Sequence, residues 1–320
     1  MRVLSGIQPT GRPHWGNYFG AIRQYVDLQH DHDGFYFIAD LHALTTINEP
    51  DVLRGYVIDA ALDLLALDLD PKKATLFIQS HVPEVSELNW ILLSRAPMGL
   101  LERCHAYKEK RDRGIPVNAG LFTYPVLMSA DILAYDSQLV PVGEDQVQHI
   151  EVCRDLAGSF NHTFGETLIL PKAKTLEHGA KVPGTDGQKM SKSYDNTLPL
   201  FGEEKKIRKA IMRIQTDSRP MEDPKEPEGD HLFELYRLFA SDGEIQAMAD
   251  MYRAGGFGYG EVKKKLAEAS ETYFAAARER RRDLEQNLDH VHQVLRSGAD
   301  RAREVAANVL SRVQKACGVQ

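Results

Sequence analysis

A chain of 320 residues, 42% apolar and 27% charged, is long enough for a large core and two domains. Its net charge of −7 argues against a protein that coats nucleic acid indiscriminately, and no apolar run approaches the roughly 20 residues needed to span a bilayer. Three cysteines, Cys104, Cys153 and Cys317, lie far apart with no C-x-x-C spacing, so neither a disulfide framework nor a structural zinc site is indicated.

Val3 and Leu4 begin a short apolar run that passes into a turn-rich segment holding Gly6, Pro9, Gly11 and Pro13. An amphipathic pattern starts at about Asn17, with Phe19, Ile22 and Val26 at spacings of three and four, so residues 3–20 read as strand, loop and helix start. The chain enters that strand at once, without the length or flanks of a signal peptide, and a cytoplasmic protein is expected. Residues 35–39 form a compact apolar run followed by Asp40. Residues 53–67 then read as a helix with Val57, Ala60, Leu64 and Leu67 on one face. Residues 75–79 are another buried strand, and 85–103 are helical with a bend expected at Pro97. Residues 139–142 are the last clear strand of this half, with a helix over 146–160 behind it. Strands alternating with helices predict a parallel sheet covered on both faces, with Phe37 and Phe77 in its core.

Between 161 and 200 the apolar periodicity fades, and a long polar loop is expected. Beyond Glu203 the pattern is helical, over 231–254 and 260–278. A further helix carries Leu284, Leu288, Val291 and Leu295, and a last one carries Ala302, Val305, Val309 and Val313. Residues 218–230, charged and punctuated by proline, are expected to be mobile. The basic clusters at 205–209, 263–265 and 278–282 read either as stripes for one specific nucleic acid or as solvated helix faces.

Two stretches carry chemistry. The first sets His14 and Gly16 at a helix entrance, where free N–H groups and the positive end of the helix dipole suit a nucleotide's phosphates. It matches neither G-x-G-x-x-G nor G-x-x-x-x-G-K-[ST], and Gly16 lets the backbone approach a ligand where an alanine would intrude. The second is Lys189-Met190-Ser191-Lys192-Ser193, behind the flexible Gly184-Thr185-Asp186-Gly187-Gln188. Alone it could be a solvated turn. Beside the histidine loop, its two lysines can reach a polyphosphate together and neutralise charge building on a leaving group. Gly143, Glu144 and Asp145 follow a strand's carboxyl end, where a glycine gives room for a ribose and a carboxylate accepts its hydroxyl protons. Asp131 sits among Met128, Ala130, Ile132 and Leu133, so it should be paired or functional, because an unpaired buried carboxylate costs several kcal/mol.

His14-Trp15-Gly16-Asn17 resembles the H-I-G-H motif of class I aminoacyl-tRNA synthetases, and 189–193 is their K-M-S-K-S motif unaltered. The resemblance extends along essentially the whole chain to the tryptophanyl-tRNA synthetase family. It runs through Ser5-Gly6-Ile7-Gln8-Pro9-Thr10-Gly11, the segment 119–135, the segment 140–150, and Gly258-Tyr259-Gly260 with its lysine-rich helix. It implies a Rossmann-like doubly wound parallel sheet with an appended α-helical domain. Residues 1–195 would be catalytic and 196–295 would bind the tRNA anticodon, with a C-terminal helix at about 296–320 packing back on the catalytic domain. It also implies ATP, Mg2+ carried by the ATP with no metal site on the protein, L-tryptophan, tRNA(Trp) and a homodimer.

By the same resemblance, Gln8, Pro9, Thr10, Gly16 and Asn17 surround the phosphates and ribose, with Gly143, Glu144 and Asp145. Val182 bonds the adenine through its backbone, and Lys189, Met190, Ser191, Lys192 and Ser193 close on the nucleotide. His14, Lys110, Lys189 and Lys192 are the catalytic set. Asp131 would accept the indole N–H, a donor with no acceptor capacity, and so select tryptophan over phenylalanine. Tyr124 and Gln146 would receive the α-ammonium, unless they are a core tyrosine and an exposed helix glutamine. Leu4, Met128, Val140 and Val142 would pack the ring, with His42 nearby. Asp131 could instead be a local helix or ion-pair residue. A tyrosine-specific ligase, a nucleotidylyltransferase of the superfamily and a paralogue that has lost charging stay open. Trp15, bulkier than the family's isoleucine, is expected to pack into the core beneath the loop.

Overall fold

The structure is a computed structural model that describes all residues except 115–116, 144–145, 176–181 and 320; side chains of 105, 106, 109 and 110 are also outside the described residues. In chain order the elements are β1 (Arg2–Ile7), α1 (Trp15–Asn17), a π-helical turn (Tyr18–Ile22), α2 (Arg23–Leu28), β2 (Asp33–Ile38), α3 (Asp40–Ala43), α4 (Pro50–Ala66) and β3 (Ala74–Ile78). Then come α5 (Pro83–Leu93), α6 (Met98–Glu102), α7 (His105–Asp112), α8 (Ala119–Leu133), β4 (Leu139–Val142), α9 (Val147–Phe164) and β5 (Lys172–Thr175). The rest is α10 (Glu204–Met212), α11 (His231–Arg237), α12 (Asp242–Ala254), α13 (Tyr259–Glu285) and α14 (Leu288–Cys317). Among the described residues no helix is long and apolar enough to cross a membrane.

The chain forms two compact units, one of Met1–Gly11, Tyr25–Glu177 and Leu284–Gln320, the other of Arg12–Gln24 and His178–Asp283. The first holds a five-stranded sheet in the order β3-β2-β1-β4-β5, with every pairing parallel. This is the doubly wound order. The strand sequence reverses between β1 and β4, where open parallel sheets leave a crevice at their carboxyl ends. The five residues of β3 are all buried, and in the core Phe77 stacks on Phe37 and meets Phe35 edge-on, as the apolar runs predict.

β5 departs from the expected long loop. Its sequence Lys-Ala-Lys-Thr carries no apolar pattern because it is an edge strand with mostly exposed side chains, and edge lysines discourage pairing with other chains. Leu284 belongs to the end of α13, and beyond it the two C-terminal helices expected are one, α14, since the repeat on Val291 and Leu295 continues through Ala302 and Val309 without a break. α14 lies directly on β3: a Cβ on Gly298 would stand 1.9 Å from the Leu76 carbonyl oxygen, so only glycine fits. Arg301 pairs with Asp33, and Arg312 with Asp136, along the same helix. The bend expected at Pro97 is a full break between α5 and α6, and 231–254 likewise divides into α11 and α12.

The second unit is helical around an aromatic cluster. Trp15 is fully buried, its ring edge-on to Phe239 at 4.7 Å, and Phe239 packs on Phe19, Tyr273 and Phe274. The expected burial of Trp15 holds. The segment 218–230 is anchored rather than loose. Lys225, 2% exposed, donates to the carbonyls of Pro220, Met221 and Asp223, with its ammonium 4.6 Å from the Phe257 ring centre. Of the arginines at 278–282, Arg278 and Arg281 are buried, one donating to the Leu200 carbonyl and the other over the Phe201 ring.

Candidate active site

In the first unit, Tyr124, Met128 and Asp131 recur at spacings of four and three along α8, which puts them on one face. Asn118 caps the helix by accepting from the Leu121 N–H at 2.7 Å. Asp131 is 1% exposed. Its carboxylate receives Gln79 Nε2 at 2.8 and 2.9 Å and lies 2.8 Å from His42 Nε2. Burial raises the Asp131 pKa, and the hydrogen bonds from His42 and Gln79 work against that rise. Each such charge-assisted bond contributes about 1.5–3 kcal/mol against the cost of burying the carboxylate.

The half-buried Tyr124 sets its hydroxyl 2.6 Å from His149 Nε2 on α9, and burial pushes its pKa up to about 12, so it stays a neutral phenol. Leu4, Val140 and Val142 are buried on neighbouring strands β1 and β4, and Met128 packs against the same core. Gln146 is exposed at the N-terminus of α9, its N–H donating to the Gly143 carbonyl at 3.0 Å. Gln8, Pro9 and Thr10 follow β1 in this unit, with Gln8 and Thr10 exposed and Pro9 buried. Glu144, Asp145 and the Lys110 side chain lie outside the described residues.

In the second unit the histidine loop and the lysine loop meet. Trp15 N–H donates to the Leu198 carbonyl at 2.9 Å, and the Gly16 N–H points at Met190 Sδ at 3.3 Å. A Cβ on Gly16 would stand 3.0 Å from the His14 ring and 3.3 Å from Met190 Cβ, so the glycine is what allows this approach. Asn17 Oδ1 accepts from the His14 N–H and pins the helix entrance. His14 is 7% exposed, and burial, then the charge of Lys192, lowers its pKa from 6.5 to about 4. At neutral pH it is an uncharged imidazole. Lys189, Lys192 and Ser193 are exposed and Ser191 half-buried, while Met190 and Val182 are buried and joined by a Met190 N–H to Val182 carbonyl bond of 2.9 Å. Asn196 holds the loop from within, accepting from the Ser191 N–H at 2.7 Å and donating to Asp186 and to the Lys189 carbonyl.

Gln79, His149 and Asn196 are absent from the residues singled out by sequence. Gln79 ends the apolar run 75–78, and a polar residue at the carboxyl end of a parallel strand is a readable signal. Asn196 had none, being one polar residue among many in its loop.

The family model described as tRNA synthetases class I (W and Y) matches residues 1–275. A tryptophan–tRNA ligase of Rhodopirellula baltica is 73% identical over 320 residues, covering 100% of both chains. One of Fusobacterium nucleatum is 50% identical, covering 99% of this chain and 98% of its own. Among solved structures, tryptophanyl-tRNA synthetase of Campylobacter jejuni complexed with ADP and tryptophan superposes with a TM-score of 0.94 at 45% identity, over 99% of this chain and 100% of that one. The chain belongs to the class I tRNA synthetases of the tryptophan and tyrosine family.

Proposed function

We infer that the chain is a tryptophan–tRNA ligase. It activates L-tryptophan with ATP to tryptophanyl-adenylate and pyrophosphate, then transfers tryptophan to the 2′-hydroxyl of the terminal adenosine of tRNA(Trp). The observation that carries this reading is Asp131, a carboxylate 1% exposed and held by Gln79 and His42 on the α8 face it shares with Tyr124 and Met128. A fixed acceptor in an apolar wall favours a side chain with one N–H and no acceptor of its own.

In the first step a tryptophan carboxylate oxygen bonds to the α-phosphorus as the bond to pyrophosphate breaks. In the second the 2′-oxygen bonds to the activated carbonyl and AMP leaves. Tyr124, as a neutral phenol, has lone pairs for the α-ammonium, and Gln146 adds its side-chain carbonyl. Leu4, Val140, Val142 and Met128 pack the ring. His14, uncharged, orients the α-phosphate by donating a hydrogen bond. Lys110, Lys189 and Lys192 stabilise the charge that moves onto pyrophosphate. Gln8, Pro9, Thr10, Gly16, Asn17, Gly143, Glu144, Asp145 and Val182 hold the nucleotide, with Met190, Ser191 and Ser193 completing the loop over it. Mg2+ arrives on the ATP. Mg2+ is held largely through the substrate's phosphates and water rather than by a protein cage.

Residues 1–195 act as the catalytic domain and 196–295 receive the anticodon, the exposed lysines of α10 among them, with α14 packed on β3 at Gly298. The protein works in the cytoplasm as a homodimer. The exposed Trp90 (69%) and Met98 (63%) supply apolar surface for a second copy. The deciding experiment is ATP–pyrophosphate exchange with each amino acid in turn, followed by charging of tRNA with the winner. Tryptophan alone should support both steps; exchange with tyrosine, or exchange without charging, sinks the reading.

A further inference from the structure

Asp131 owes its position to a residue on another element. Gln79 lies in the single turn that follows β3 (Gln79–His81) and is 1% exposed. Its Oε1 accepts from the Leu41 N–H at 3.1 Å, and its Nε2 donates to Asp131 Oδ1 and Oδ2 at 2.8 and 2.9 Å. The Leu41 N–H can only donate, so it settles which end of the amide faces Asp131. The same N–H also reaches Asp40 Oδ1 at 3.0 Å, and Asp40 accepts from the Ser80 N–H at 3.0 Å, which ties α3 to the turn carrying Gln79.

An ionised carboxylate has about four lone-pair positions. Gln79 occupies two of Asp131's and His42 a third. One is left, which matches a ligand that brings a single donor. Gln79 does this without adding charge, so Asp131 stays a pure acceptor where a lysine or arginine would have made a neutral ion pair. We propose that Gln79 is the positioning residue of the amino-acid pocket: its amide grips both oxygens of Asp131, aims the remaining lone pair at the indole N–H, and so sets selection for tryptophan. This rests on the reading of Asp131 as the indole acceptor.

The test compares tryptophan with β-(3-benzothienyl)alanine, which has the same shape with sulfur in place of the N–H. Pyrophosphate exchange is measured on the full chain, on Gln79→Met, which keeps the volume, and on Gln79→Glu, which keeps the shape. The unaltered protein should prefer tryptophan at least tenfold in kcat/KM. Gln79→Met should lose at least tenfold for tryptophan through KM and little for the analogue, collapsing the ratio while KM for ATP holds. Should Gln79→Met fail to fold, the same collapse in Gln79→Glu decides. Equal losses for both amino acids would make Gln79 a packing residue and overturn the proposal. If Asp131→Ala collapses the ratio and both Gln79 variants keep it, the proposal fails alone. If the unaltered protein shows no preference, the reading of Asp131 falls first and takes the proposal with it.

Discussion

The two units hold their polar groups in opposite ways. In the first, Asp131 is buried and fixed from two elements, by His42 of α3 and by Gln79 after β3. In the second, Lys189 and Lys192 are exposed on a loop whose backbone, rather than whose ammonium groups, is gripped by Asn196. The difference follows from the two tasks. Telling one uncharged ring from another depends on a hydrogen-bond partner that is already in place, because a mismatched ligand then leaves a buried polar group unpaired. Neutralising a polyphosphate depends on charge that arrives as the leaving group departs, and long flexible side chains deliver it.

The variant that strains this contrast most is Lys192→Ala. Tryptophan-dependent pyrophosphate exchange should fall about a thousandfold in kcat, a size typical of losing one stabilising group at a developing charge, with KM for tryptophan little changed. An unimpaired rate would mean the loop does not serve the leaving group. Asp131→Ala should act the other way round. It removes the acceptor and strands Gln79 Nε2, so kcat/KM for tryptophan should drop about a hundredfold and discrimination against phenylalanine should shrink, while KM for ATP holds. Unaltered selectivity would return Asp131 to a structural role. Asn196→Ala is milder. Losing its bonds to Ser191, Asp186 and Lys189 should cost about 1–3 kcal/mol, lower Tm by several degrees and reduce exchange about tenfold. A drop in Tm with exchange intact would show that the loop needs no tether.

How much of this was legible beforehand depended on burial. Four strands, β1 to β4, were readable because parallel strands covered on both faces are apolar runs, as at Phe35 to Ile38 and in β3. β5 was not, because an exposed edge strand needs no apolar residues. The division of α11 from α12 and the continuity of α14 were missed for the opposite reason: periodicity marks a helical face but says little about where one helix stops. Asp131 stood out as a carboxylate in an apolar context, whereas Tyr124 and Met128 came only with the family resemblance. Gln79 and Asn196 act through what they touch across 52 and 7 residues of sequence; the place of Gln79 at a strand's carboxyl end was a signal left unread, while Asn196 offered none.

His14 lies between the two extremes, buried like Asp131 yet within the field of Lys192, and pH separates the two influences. Its pKa is about 4 in the folded chain against an ordinary 6.5 once unfolded. Below 6.5 the unfolded chain takes up a proton that the folded chain refuses until about pH 4. The stability of the neutral, buried ring is therefore fully present above 6.5 and drains away as pH falls across that window. His14→Gln should flatten Tm against pH between those limits by about 2 °C without altering the curve above pH 7. Lys192→Ala should fall in between, since removing the lysine takes away the lesser cause of the shift and leaves burial, the greater, in place. Identical curves for Lys192→Ala and the unaltered chain would assign the shift to burial alone. A loss of exchange centred near pH 6.5 that disappears in His14→Gln would instead mean that His14 titrates as an ordinary imidazole and meets the phosphate as a cation.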